Sequence, residues 1–188
     1  MRAFFGGYTK ACRQADALLF QTGDAAAIDK ACKRSPIGKL LPDNLYVHKS
    51  ALDSLEPILR IYEGCGQAYL GEVEGANLVK IHRRSGKLSY LVYPDFDTDP
   101  HPALLRSVRL SLRTRQIDCQ DYAGRDNSPV LHRKETFLAA DHPLHAKFAR
   151  LTELEERHGL LDDTATIGTR AGWAARLNER GYRLRSIG

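Results

Sequence analysis

Apolar residues in the first third of the chain recur every three or four positions, the spacing of a helix with one buried face. Tyr8, Ala11, Ala15, Leu18 and Leu19 predict a helix from Tyr8 to Phe20, broken by Thr22-Gly23-Asp24. Asp24 is placed to cap a second helix through Cys32, which Ser35-Pro36 ends. Gly38 to His48 is a turn-rich link into a short strand at Leu45 to Val47. Ser50 is then placed to cap a third helix whose buried face is Leu52, Leu55, Ile58, Leu59 and Tyr62.

The period changes to two in the middle of the chain. Leu78 to Ile81 and Leu88 to Tyr93 are rich in apolar and β-branched residues, and Arg83-Arg84-Ser85-Gly86 between them supplies the glycine of a hairpin turn. Farther on, Val108, Leu110 and Leu112 alternate with Arg109, Ser111 and Arg113, and Ile117, Cys119 and Asp121 continue the alternation. This stretch reads as one long strand or as a second hairpin turning near Arg113 to Arg115. Residues 123–129 (AGRDNSP) have the composition of a loop.

Helical spacing returns with Leu144, Phe148, Leu151 and Leu154, between Pro143 at a helix start and Gly159 as its stop. A last helix, Arg170 to Arg180, carries Trp173 and Leu177 on one face and ends at Gly181. Helices, then a small antiparallel sheet, then helices describe an α+β fold. The 188 residues, with no internal repeat and no long linker, predict a single domain.

The strand that ends at Tyr93 runs into a loop crowded with acids and prolines, YPDFDTDPHPAL. Pro94, Pro100 and Pro102 push their preceding residues out of helical angles, so Asp95, Asp97, Asp99 and His101 are expected on a stiff extended segment. On an extended backbone the three aspartates would share one face and present oxygen ligands to a hard cation. The spacing matches the start of a calcium loop, but Pro100 stands where that loop needs glycine and Arg106 where it needs a bidentate glutamate. The same aspartates suit side-chain turns that cap the next residues of the chain, ordinary chemistry for Asp before Pro and the favoured reading. Downstream, His132-Arg133-Lys134-Glu135 unites an imidazole, two cations and a carboxylate, able to hold a phosphate and move a proton, or to begin a charged helix.

Composition narrows the class. The net charge of +5 favours polyanionic partners, and the cations are clustered: Lys80, Arg83, Arg84 and Lys87; Arg106, Arg109, Arg113 and Arg115; and Arg170, Arg176, Arg180, Arg183 and Arg185. These clusters either line one groove or form separate solvated faces. No run of about eighteen apolar residues occurs, and MRAFFGGYTK lacks the apolar stretch of a signal peptide, so a soluble protein of the cytoplasm is expected. Cys12, Cys32, Cys65 and Cys119 form no CxxC pair and are expected to be reduced and mostly buried. The sequence assigns no metal site to histidine or cysteine spacing. No GxSxG, HExxH or P-loop is present. Glu63-Gly64-Cys65-Gly66 mimics the turn that cradles S-adenosylmethionine, but it falls at a helix end and lacks the preceding strand. Trp173 can stack on a base, though its pairing with Leu177 places it in the core.

Five passages taken together, YTKACRQADALLF, KRSPIGKLLPDNLYVHKSALD, YPDFDTDPHPAL, NSPVLHRKETF and KFARLTELEERHGLLDDTATIGTRAGW, resemble the C-terminal region of a bacterial family named as DNA phosphorothioation-associated methyltransferases. The resemblance runs from about Phe5 to Arg185. It implies a role beside a system of DNA modification and phage defence in which sulfur replaces a phosphate oxygen. In that family an N-terminal half binds S-adenosylmethionine and precedes the region matched here, so this chain would meet that cofactor only through a missing domain or a partner. The family also tends to carry alanine where this chain has Gly66.

Three functions emerge as expectations. The first is an accessory DNA-binding or sensing module acting through Lys80, His82, Arg83, Arg84, Lys87, Arg133 and Lys134. The second is a metal-dependent phosphodiesterase or nuclease-like enzyme with Asp95, Asp97, Asp99 and Glu135 as oxygen ligands and His101 or His132 as proton carrier. The third is a separately encoded fragment that binds a methyltransferase partner.

Overall fold

A computed structural model describes residues 6–182. Helices α1 (Tyr8–Gln21) and α2 (Ala25–Arg34) lead into strands β1 (Lys39–Leu40) and β2 (Asn44–His48), a 3-10 turn (Lys49–Ser54) and helix α3 (Pro57–Leu70). Next in the chain are strands β3 (Leu78–His82), β4 (Lys87–Val92), β5 (Arg106–Ser111) and β6 (Ile117–Asp121). A second 3-10 turn (Lys134–Phe137) and helices α4 (His145–Arg157) and α5 (Arg170–Glu179) complete the order, which is the expected α+β arrangement. The six strands form an antiparallel meander in sequence order.

Local chemistry accounts for most boundaries. The Asp24 side chain accepts the Ala26 N–H at 2.8 Å and opens α2 as expected. Gly86, at φ 68°, lets the four-residue turn close β3 onto β4 with His82 opposite Lys87. The stretch after β5 resolves into the second hairpin, with Leu110 opposite Ile117 and Arg115 at φ 57° in the turn. Gly159 and Gly181 adopt positive φ just past α4 and α5.

Ser50 does not start the third helix. His48 Nδ1 accepts the Ser50 N–H at 3.3 Å, capping a 3-10 turn, and the helix begins at Pro57, whose ring suits the first helical position. Likewise, α4 begins at His145, two residues beyond Pro143. The cysteines are all free, but only Cys32 is buried; Cys119 is exposed on the outermost strand.

Cross-strand partners share a face, so the register sorts the sheet. Leu45, Val47, Val79, Ile81, Leu88 and Tyr90 face the N-terminal helices and pack with Ile28, Ala31, Cys32, Ile58, Leu59 and Tyr62. Gly66 sits at the closest approach of α3 to the sheet, where an added Cβ would lie 2.5 Å from Leu88 Cδ1 and 2.7 Å from the Tyr90 hydroxyl. On the opposite face, Leu78 and Leu91 join Tyr93, Phe96, Leu104, Phe137 and Phe148 in a second cluster beneath α4. The rest of that face carries polar rows. Leu160, Leu161, Ile167 and Trp173 form a third cluster under α5. No helix among the described residues is long and apolar enough to cross a membrane.

Candidate functional site

His101 and His132 meet beneath α5, with their ring centroids 4.7 Å apart. The acidic loop delivers the first. The Asp99 carboxylate accepts the His101 N–H at 2.8 Å, and Pro102 O then accepts the Leu131 N–H at 3.1 Å, stitching the loop to the segment that carries His132. Val130 N–H donates to Gly168 O, so a third segment is tied alongside. Trp173, from α5, lies against both imidazoles at centroid separations of 4.4 and 4.6 Å. Glu155, from α4, completes the group with Oε1 2.7 Å from His101 Nε2.

Backbone carbonyls set the proton positions on both rings, because a carbonyl oxygen only accepts. His101 Nδ1 donates to Leu131 O at 3.3 Å, and His132 Nε2 donates to Ile167 O at 2.8 Å. His101 Nε2 and His132 Nδ1 are therefore the nitrogens left with an unshared lone pair. One ligand atom from each of His101, His132 and Glu155 lies within 4.8 Å of the others. All three are buried, and none makes a hydrogen bond of good geometry. The 2.7 Å approach of His101 to Glu155 is close enough for an ion pair but is misaligned for a hydrogen bond. Burial, with His101 nearby, pulls the His132 pKa down to about 4, so this ring is neutral at physiological pH.

Glu155 is buried where α4 turns its inner face, four residues after Leu151 and seven after Phe148; Leu154, assigned to that face by spacing, is only half-buried. A carboxylate on an apolar stripe is the one signal the sequence offers, since such a group is rarely buried without a partner. His132 also lines an open cleft of about 370 Å³ with Lys39, Tyr46, Tyr93, Arg133 and Phe137.

The aspartates of the loop are not gathered. Instead of an extended segment the chain makes successive turns, with Phe96 N–H donating to Tyr93 O and both Thr98 and Asp99 N–H donating to Asp95 O. Asp95, Asp97 and Asp99 are exposed around the buried Phe96, and among the described residues only His101, His132 and Glu155 form a ligand cluster. Asp99 instead forms the side-chain turn to His101. Glu135 is also apart; its carboxylate accepts from the Thr152 hydroxyl at 2.8 Å, joining the second 3-10 turn to α4.

The cations expected on nucleic acid divide sharply. Arg83 is buried: Nε and Nη2 engage Asp29 at 2.8 and 2.6 Å, and Nη1 donates to Leu41 O and Pro42 O. Lys134 is buried as well, donating to Phe96 O at 2.6 Å and Asp99 O at 2.5 Å, with Nζ 3.7 Å from the Phe148 centroid. Burial pulls its pKa down to about 8. Arg133 pairs with Glu156. His82 accepts or donates at Ser89 Oγ, 3.0 Å away, and burial pulls its pKa down to about 4.

What remains is the open part of the second sheet face. One row runs Lys39, Tyr46, Lys80, Ser89, Arg109 and Asp118, and the next runs Asn44, His82, Lys87 and Ser111. Lys80 Nζ stands 5.4 Å over the Tyr46 ring, and Arg109 pairs with Asp118. Arg84 is exposed in the hairpin turn. Of the C-terminal cations, Arg176 is buried beside Asp163 and Glu179 and Arg180 faces Asp162, while Arg183 and Arg185 lie outside the described residues. Glu63 to Gly66, the mimic of a cofactor turn, is wholly inside α3.

No protein-family model, curated protein or solved structure matches this chain.

Proposed function

We propose that the chain is an accessory DNA-binding or sensing module of a DNA phosphorothioation-associated modification and phage-defence system, contacting DNA through the open rows of its sheet. The observation that carries this reading is the register that lines up Lys39, Lys80, Lys87 and Arg109 on one face of the sheet with Tyr46 and His82 among them, Arg109 exposed and the three lysines half-buried. Ammonium and guanidinium groups at strand spacing suit successive phosphates, and the flat rings between them suit bases or sugars. The resemblance of the sequence to phosphorothioation-associated proteins supplies the biological setting. S-adenosylmethionine enters this reading only through a partner, because no cradle for it is formed by residues 63–66.

The test is fluorescence anisotropy of the purified chain on matched duplexes with and without phosphorothioate, at two salt concentrations. Binding that weakens steeply with salt supports a DNA module, and a preference for the sulfur-bearing duplex ties it to the modification system. No binding to either duplex overturns the reading.

A second reading, attachment to a protein carrying the methyltransferase half, is favoured by α1. That helix has no buried residue, and Phe20 is 82% exposed and Leu19 49%. Solution mass decides it: a monomer that stays monomeric and does not adsorb at high concentration argues against a lost partner face.

A further inference from the structure

We infer that His101 Nε2, His132 Nδ1 and Glu155 Oε1 constitute a binding site for one divalent transition-metal ion of the Zn²⁺ class. Three buried acceptors, one from each residue of a single cluster, have no hydrogen bond of good geometry. Acceptors so placed repel unless a cation lies between them, and an unmatched buried polar atom costs roughly 1–3 kcal/mol. A proton shared by His101 and Glu155 satisfies two of the three and leaves His132 Nδ1 with nothing. A metal ion satisfies all of them.

The surroundings are those of a ligand set. Each imidazole donates its far N–H to a backbone carbonyl, Leu131 O and Ile167 O, which fixes the tautomer that offers a lone pair to the centre. Two nitrogens and one carboxylate oxygen are borderline ligands, suited to Zn²⁺ and poorly suited to Mg²⁺ or Ca²⁺, which take mostly oxygen. Tetrahedral zinc at ~2.0–2.1 Å from each ligand requires the ligands to stand roughly 3.3 Å apart. The 2.7 Å between His101 Nε2 and Glu155 Oε1 is shorter than that figure, and the ligand atoms of the three residues all fall within 4.8 Å, so an ion between them would spread the first two apart. Three protein ligands leave a fourth position. Trp173, in contact with both imidazoles, carries a buried Nε1–H that has no acceptor. A water or hydroxide on the metal would be an acceptor of the right chemistry in that enclosure.

The site joins three parts of the chain: the loop after β4, the segment before the second 3-10 turn, and α4. It is independent of the DNA reading, and its test does not involve DNA. The chain is stripped with EDTA and titrated with Zn²⁺ by calorimetry, and separately with Co²⁺ while visible absorption is recorded. One equivalent of Zn²⁺, a melting temperature raised by metal and lowered by EDTA, and the d–d bands of four- or five-coordinate Co²⁺ are expected. Glu155→Gln and His132→Gln should each weaken binding at least ~10-fold, while His48→Gln, which alters the neighbouring His48–His142 pair, should not. X-ray absorption of the zinc-loaded wild type should show two imidazoles, a reading that needs no variant to fold. The inference is overturned if the stripped chain binds no stoichiometric Zn²⁺, if absorption shows fewer than two imidazoles, or if folded Glu155→Gln and His132→Gln proteins keep wild-type affinity.

Discussion

Glu155 Oε1 lies 2.7 Å from His101 Nε2, with both residues buried and each reaching the other from a different layer of the fold. Glu155 rises from α4 and His101 from a loop whose shape is set by Asp99. Removing one member of a buried, closely apposed polar pair leaves the other unmatched, which costs roughly 1–3 kcal/mol. Glu155→Ala in EDTA-containing buffer should lose stability on that scale, and Glu155→Gln, which keeps the shape, should lose less. Urea unfolding measures both. A loss under ~1 kcal/mol for the alanine variant would put the pair on a par with exposed ion pairs.

The two glycines of α3 should respond in opposite directions. Gly64 is exposed and helical, with nothing within 4 Å of an added Cβ, so Gly64→Ala should stabilise the chain by up to ~1 kcal/mol. Gly66 faces the sheet, and its added methyl would meet Leu88 and the Tyr90 hydroxyl inside contact distance. Gly66→Ala should cost about 1–3 kcal/mol, the usual range for overpacking. Thermal melts of the two variants, side by side, provide the check.

Acid should unfold the chain earlier than its carboxylates alone would. Burial holds His48 and His82 at about 4 instead of 6.5, with His142 also opposing the charge on His48 and Lys80 that on His82. The folded chain therefore binds fewer protons than the unfolded chain between those values. Stability is complete above pH 6.5 and falls as the pH drops towards 4. Urea midpoints measured across this window should decline, and His82→Gln should flatten the decline. An unchanged slope in that variant would remove His82 from the account.

Lys134, a candidate phosphate ligand by sequence, instead pins the acidic loop to the second 3-10 turn. Its Nζ bonds Phe96 O and Asp99 O, and the ring of Phe148 closes over it. Lys134→Met keeps the apolar stem but leaves both carbonyls without a donor, which should cost roughly 2–4 kcal/mol. Hydrogen exchange should show the loop after β4 opening more readily in this variant, because the loss falls on that loop first. A destabilisation spread evenly over the sheet would argue against a pin.

Legibility in the sequence depends on the range of the interaction involved. The β3–β4 hairpin, the Asp24 cap and the Gly159 stop are local, and each is legible from a few neighbouring residues. The start of α3 is ambiguous because Ser50 and Pro57 both carry start signals, and packing chooses the second. The prolines after Tyr93 favour an extended loop, yet the burial of Phe96 folds it into turns. His101 and His132 stand out by residue type, whereas Glu155 is hidden in a helix whose charged residues otherwise face water. Only the fold shows that its position belongs to the inner stripe.

Adjacent arginines in the β3–β4 turn should separate folding from DNA binding. Arg83 is 5% exposed in its side chain and engages Asp29, Leu41 O and Pro42 O, joining the turn to α2 and to the loop before β2. Arg84 is 65% exposed and reaches Asp29 only at 3.5 Å. Arg83→Glu should place a carboxylate against Asp29 and two carbonyls, lowering the melting temperature whether or not DNA is present. Arg84→Glu should fold normally and weaken DNA binding only as one rim charge would, together with a shallower salt dependence. Lys80→Glu with Lys87→Glu, from the open rows of the sheet, should weaken it much further across all sequences. Anisotropy at two salt concentrations, with melts run on the same samples, distinguishes these outcomes. If the double variant folds and binds DNA as well as wild type does, the open face of the sheet is not the interface.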